Sequence, residues 1–202
     1  NDAELANDLL KVFEHNNIET RVILDDKCCG MPKLELGDLK SVENLMKHNV
    51  PKLLQEIDEG FDIISLVPSC VLMFKQELPL LFDENDDLKK IKQHIFDPFE
   101  YLSDRESKGL MNKSFKNSLG KIAYQVACHQ RVQNIGPKTK ELLEMVPDTE
   151  VQAIERCSGH DGTYAVREET HKNSVKIARP VTRKVDEAGP DHLTSDCPLA
   201  AK

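Results

Sequence analysis

The chain reads as an α/β protein made of two tandem, pseudo-twofold-related domains, each a small, mainly parallel sheet flanked by helices. Three observations carry that expectation. Short β-rich runs alternate with longer helical stretches, the order that parallel strands with crossover helices produce. Cysteines fall at or just beyond the ends of those runs, where ligands collect in open α/β sheets. The chain also repeats itself at a single offset, the mark of a duplicated unit. With 202 residues, 39% of them hydrophobic and 31% charged, it can bury a sizeable core.

Taken in order, residues 4–15 carry Leu5, Leu9, Leu10, Val12 and Phe13 at helical spacing. Residues 20–24 are a β-rich run delivering the chain to Lys27-Cys28-Cys29-Gly30-Met31-Pro32. Asp38 is placed to cap a helix that runs to about residue 58 and is stopped by Gly60. Residues 61–68 read as a buried strand ending at Ser69-Cys70, and residues 71–82 as a helix that kinks or ends at Pro79. An acidic linker at 83–87 leads to a helical stretch over 88–104, broken at Pro98. Residues 105–120 are polar, hold two glycines, and serve as the connection between a first domain at 1–104 and a second at 121–202. In the second domain a strand at 121–127 delivers Cys128-His129, and a short helix follows at 138–145. The strand Thr149–Ile154 then runs into Cys157-Ser158-Gly159. The helix Glu168–Ala188 has Pro180 inside it, and a last strand at 191–195 ends at Cys197.

Shifted by 129 positions, Cys28 and Gly30 fall on Cys157 and Gly159. At the same shift Thr20, Val22, Asn44, Pro51, Gly60 and Asp62 fall on Thr149, Val151, Asn173, Pro180, Gly189 and Asp191. A proline inside a helix costs on the order of 3 kcal/mol, so its presence at one place in both long helices marks a shared bend. A two-residue shortening later in the second copy brings Cys70 into register with Cys197. Cys128 maps just ahead of Asn1, so the repeat predicts a cysteine there, preceded by a strand matching 121–127. The first domain is accordingly expected to lack its own first strand and cysteine within this chain. The start at Asn1-Asp2-Ala3 reads as a processed, trimmed or partly represented protein.

A formal charge of -8 with no basic stripe argues against a nucleic-acid partner. No apolar run approaches the roughly 20 residues that span a bilayer, and no signal-peptide pattern opens the chain. The expectation is a cytoplasmic protein with six reduced thiols.

Adjacent cysteines rarely bridge one another, whereas two thiolates on one turn grip a soft metal. Thiolates brought together from several loops suit an iron–sulfur cluster or zinc, although neither usual zinc spacing is present. Inert buried cysteines and thiol redox chemistry are the competing readings. His129 and His160 stand beside cysteines and either tune the site through hydrogen bonds or are ordinary loop histidines. Met73 reads as a core side chain rather than a thioether ligand. Gly159, Asp161 and Gly162 fit a tight turn better than a phosphate loop, because the full glycine fingerprint is missing.

Five segments together resemble the cysteine-rich CCG-domain family. They are Cys28-Cys29-Gly30-Met31-Pro32, Pro68-Ser69-Cys70, Cys128-His129, Glu155-Arg156-Cys157-Ser158-Gly159-His160-Asp161-Gly162 and Ser195-Asp196-Cys197-Pro198. That family includes subunits of heterodisulfide reductase, anaerobic glycerol-3-phosphate dehydrogenase and glycolate oxidase. The second-half motif is most similar to the glycerol-3-phosphate dehydrogenase branch. The resemblance implies two tandem domains binding iron–sulfur clusters of the 4Fe-4S type. It also implies a flavoprotein oxidoreductase partner, a ferredoxin-type domain, or both, with peripheral attachment at the inner face of the membrane through those partners. Cys28, Cys29 and Cys70 are the implied ligands of the first domain, and Cys128, Cys157 and Cys197 those of the second. The family has a CxxC where this chain has Cys70-Val71-Leu72-Met73 and Cys197-Pro198-Leu199-Ala200, and a further cysteine at the place of Ser158. Three thiolates per domain suit a cubane with one open or non-cysteine-ligated iron, or zinc in one domain, rather than a five-thiolate cluster. The functional expectation is electron transfer. The alternatives are reduction of a disulfide or small thiol at an open cluster iron, and a structural zinc-binding protein.

Overall fold

The second half is organised around the strand β3, Gly120–Gln125, which lies between β4, Thr149–Ile154, and a last strand β5, His192–Ser195. In the computed structural model, which describes residues 3–160, 164–198 and 200, both pairings are parallel, with Gly120 opposite Thr149 and Ile122 opposite His192. Ile122, Ala123, Tyr124 and Gln125 are all buried, as a central strand covered on both faces requires. Parallel neighbours need crossovers. Helices α8, Cys128–Arg131, and α9, Lys138–Leu143, join β3 to β4, and the long helix α10, Glu168–Ala188, joins β4 to β5. The chain thus moves to one side of β3 and then to the other, making the carboxyl edge of β3 a switch point.

The first half keeps the long helix followed by a strand. It comprises α1, Ala3–His15; α2, Met31–Glu35; α3, Leu39–Asp58; and β1, Ile63–Ile64. Asp38 caps α3 by accepting from the Ser41 N–H at 3.1 Å, as its sequence predicts. Val42, Met46, Val50, Leu53 and Ile57 are buried along one face of α3 at the spacing of an apolar stripe. They pack on Leu72, Met73, Phe74, Leu78, Leu88, Ile91 and Ile95. Shifted by 129, Leu39 and Ile63 fall on Glu168 and His192, the first residues of α10 and β5, and each long helix carries its proline inside. The repeat is therefore structural.

Two expectations are corrected. Residues 20–24 are not a strand: Val22 and Leu24 are 66% and 80% exposed. Their repeat counterpart, β4, exists as a strand because β3 pairs with it, and among the described residues no strand lies beside 20–24. A β-rich run without a partner has no ladder to join. The strand expected over 61–68 shrinks to Ile63–Ile64, which pairs in parallel with a strand missing from the sequence expectation, β2, Ile95–Phe96.

The helical stretch after β1 does not stop at Pro79. It runs as α4, Pro68–Leu72, then a π-helical turn over Met73–Glu77, then α5, Leu78–Leu81. A proline lacks the N–H and crowds the carbonyl four residues back. The wider turn, in which the Leu78 N–H reaches Met73 O, absorbs the extra bulk and keeps Met73 and Leu78 in the core. Met73 is thus the packing residue its spacing predicts. Asn85 caps α6, Asp86–His94, and Asp97 caps α7, Pro98–Ser107, through a capping box with Glu100.

The halves share core. Phe13, Leu102 and Leu142, from α1, α7 and α9, form one buried cluster with Leu9, Phe99 and Met145 packed on it. The Gln133 side chain donates to Pro68 O at 3.0 Å. Residues 108–119 hold no helix or strand, and the Asn112 N–H donates to Asn16 Oδ1 at 2.8 Å. Among the described residues no helix is long and apolar enough to cross a membrane.

Candidate cysteine site

Gly30, with φ at 99°, turns the chain after Cys28-Cys29 into α2. The turn is held from α3 by Asn49, a buried polar residue that sequence reasoning did not single out. Its Oδ1 accepts from the Lys27 N–H at 2.9 Å, and its Nδ2 donates to Lys27 O at 3.0 Å and Cys28 O at 3.3 Å. Asn49→Ala is expected to leave those backbone groups without partners and to lower stability by about 1–3 kcal/mol. Urea denaturation measures this, and an unchanged midpoint would show that Asn49 does not hold the turn.

Cys28 is exposed, Cys29 buried, and Cys70, on α4, intermediate. The Cys29 thiol donates to the Cys70 sulfur. That bond, reinforced by burial, pushes the Cys29 thiol far up. The same bond pulls Cys70 down against its own burial, with the Ser65 and Ser69 hydroxyls assisting.

In the second half each cysteine follows a strand: Cys128 after β3, Cys157 after β4 and Cys197 after β5. The Gly159 N–H donates to Cys157 Sγ at 3.3 Å. The turn is pressed against α10, where Ser174 Oγ donates to Gly159 O at 2.6 Å. Only glycine fits there, because φ is 79° and a Cβ would stand 2.3 Å from Ser174 O. Asp161 and Gly162 lie outside the described residues.

A buried polar network lies behind these turns. Asp196, preceding Cys197, accepts from Thr139 Oγ1 at 2.9 Å and from the Tyr124 hydroxyl. The Tyr124 hydroxyl also lies 2.7 Å from Gln130 Oε1, and Gln130 Nε2 donates to Thr139 Oγ1 at 3.2 Å. Burial raises Asp196 and Tyr124. From the first half comes Asp97, 1% exposed, whose carboxyl is pushed up to about 6 by burial and then by the charge of Asp196.

All six cysteines line one cavity of about 1580 Å³, together with His129, Ser158 and His160. His129, on α8, faces Glu35 of the first half at 3.8 Å. Among the described residues no three His, Cys, Asp or Glu side chains form a group set to hold a single metal ion. All six thiols are free of disulfides, and an all-sulfur donor set is the kind that iron–sulfur clusters use.

A duplicated α/β unit that sends its cysteines to a shared cavity defines a class of cysteine-motif domain proteins. The chain belongs to one family of that class, the CCG cysteine-rich domain, whose sequence profile matches residues 1–75 and again 122–199. It is 26% identical over 199 residues to a subunit of the anaerobic glycerol-3-phosphate dehydrogenase of Escherichia coli K12, covering 98% of this chain and 50% of that protein. It is 24% identical over 197 residues to a subunit of the fumarate reductase (CoM/CoB) of Methanothermobacter marburgensis, covering 95% of this chain and 36% of that one. It is 27% identical over 172 residues to the lactate utilization protein A of Lysinibacillus sphaericus, covering 82% and 72%. The chain thus spans about half the length of the E. coli relative.

Proposed function

We propose that the chain is an iron–sulfur electron-transfer subunit, or part of one, in a flavin-linked oxidoreductase. The observation that carries the reading is the delivery of six cysteines, none in a disulfide, by two copies of one motif to a single cavity. The names of the dehydrogenase and reductase relatives, each a subunit of a larger enzyme, support it. Cys28, Cys29 and Cys70 are the proposed ligands of a unit at 1–104, and Cys128, Cys157 and Cys197 those of a unit at 121–202, joined by 105–120. A 4Fe-4S cluster held there would supply one-electron chemistry. The chain's own part is to present thiolates. Cys70 is held down by its hydrogen bond with Cys29, and Cys157 Sγ accepts from the Gly159 N–H. His129 and His160 are proposed to support the ligands from beside them. The partner is a flavoprotein, with or without a ferredoxin-type domain, through which any membrane attachment is made.

Anaerobic purification followed by iron, labile sulfide and zinc analysis tests the reading. Iron and sulfide in comparable amounts are expected, and stoichiometric zinc without sulfide would overturn it. Cys157→Ser is expected to remove the cofactor of the second unit, read as a loss of about half the bound iron where each unit holds one cluster. Full retention would show the ligand assignment to be wrong.

One observation favours a second reading, reduction of a disulfide or small thiol at an open iron. The same cavity is also lined by Leu9, Phe13, Ile23 and Leu66, apolar side chains that suit the apolar part of such a substrate. A spectrum that changes on adding a disulfide substrate distinguishes this from simple electron transfer.

A further inference from the structure

We propose that Gln125 is the positioning residue that sets the spacing of Cys128, Cys157 and Cys197. The inference rests on the ligand assignment given above for that half.

Gln125 ends β3 and is 2% exposed. The last ladder pairs of the sheet are Gln125 with Ile154 on one side and with Ser195 on the other. Beyond them the three strands part into the cysteine-bearing turns. Among the described residues, one backbone bond continues across, from the Val126 N–H to Ile154 O at 3.1 Å.

The Gln125 carboxamide takes over at that point. Its Nε2 donates to Val126 O and to Arg156 O, both at 2.8 Å, and its Oε1 accepts from Ser195 Oγ at 2.7 Å. Ser195 Oγ in turn accepts from the Cys197 N–H at 3.2 Å. Val126 leads to Cys128, and Arg156 immediately precedes Cys157. One side chain therefore ties the exits of all three strands, and does so within two residues of each cysteine.

The chemistry demands an amide. Both carbonyls, Val126 O and Arg156 O, need donors, and the Ser195 hydroxyl needs an acceptor. A carboxylate at 125 would face two carbonyls with nothing to donate. Leucine would fill the volume but take the donor from both carbonyls and the acceptor from the Ser195 hydroxyl. Asparagine is one methylene short of the same span.

Groups that orient metal ligands from behind typically change retention about 10–100-fold when removed. Gln125→Leu and Gln125→Glu are therefore each expected to lose iron to a chelator about tenfold faster or more than the parent chain. The electron paramagnetic resonance signal of the remaining cluster should also change, which a loss of global stability alone would not produce. Ser195→Ala, which releases only the Cys197 tether, provides a milder variant should the Gln125 variants fail to fold. It is expected to alter the same signal while melting cooperatively.

A measurement on metal-free protein keeps the test independent of the cofactor. A trivalent arsenical such as phenylarsine oxide binds only thiols held close together. The first-half thiols contribute equally in all variants, so a drop in bound arsenical on altering Gln125 reports on the second half. If the parent chain carries no iron or sulfide yet the arsenical difference persists, the cofactor reading fails and the positioning role stands. Folded Gln125 and Ser195 variants with unchanged arsenical binding overturn the positioning role; in iron-loaded protein, unchanged chelator kinetics and spectrum overturn it as well.

Discussion

Gly159→Ala is expected to destabilise the protein by about 3 kcal/mol or more and to displace the turn that carries Cys157. An alanine held at the left-handed φ of 79° costs about 1–2 kcal/mol by itself. Its Cβ would also stand 2.3 Å from Ser174 O, a backbone atom inside α10 that cannot swing aside. Relieving that contact breaks the Ser174 Oγ to Gly159 O hydrogen bond of 2.6 Å, worth roughly 1 kcal/mol more. The turn must then lift from the helix, and Cys157 leaves with it. Gly37→Ala is the matched control, because φ there is 74° but no described atom beyond its adjoining residues lies within 4 Å of the added carbon. Urea midpoints for the two variants separate the conformational cost from the clash. Equal shifts would show that the close approach to α10 is not what demands glycine.

Asp97→Asn is expected to act in the opposite direction, stabilising the protein by about 1–3 kcal/mol at pH 8 and by little at pH 4. The Asp97 carboxyl is pushed up to about 6, against an ordinary value of 3.8, by burial and by Asp196. The folded state therefore keeps a proton that the unfolded chain has already released. The contribution of this group is most favourable below about pH 4, declines as pH rises through about 6, and is a constant penalty above that. Asparagine removes the charge and still caps α7 by accepting the Phe99 N–H, now 2.9 Å from Asp97 Oδ1. Denaturation at the two pH values measures the effect. A variant that loses the same stability at both would show that the carboxylate is held for a favourable interaction instead.

What the sequence makes legible here is what repeats or alternates. The strand Thr149–Ile154 and the helix Glu168–Ala188 are found at the residues expected, because their periodicity and end signals are local. The six cysteines are recognisable for the same reason, since each follows a strand or stands beside a turn glycine. Residues 20–24 mislead because β-propensity reports fitness for a sheet, not the presence of a neighbour. β2 escapes because two residues between helices carry no period. Asn49 and Gln125 are invisible for a different reason. Their meaning lies in bonds spanning 21 to 70 residues of chain, and nothing in the local pattern separates them from a solvent-facing amide.

The way each long helix grips its cysteine turn has a consequence for how the duplicated copies relate. Shifted by 129, Ser174 falls on Leu45 and Asn49 falls on Ala178. The first copy grips ahead of its glycine, at Lys27 and Cys28, and the second grips at the glycine itself, one helical turn earlier along the helix. The copies are therefore no longer exchangeable parts. Grafting α3 into the second copy would set a leucine where the Ser174 hydroxyl meets Gly159, and grafting α10 into the first would leave Lys27 facing an alanine. Each half has its own lock, so a substitution in one helix can retune one cysteine turn without disturbing its twin.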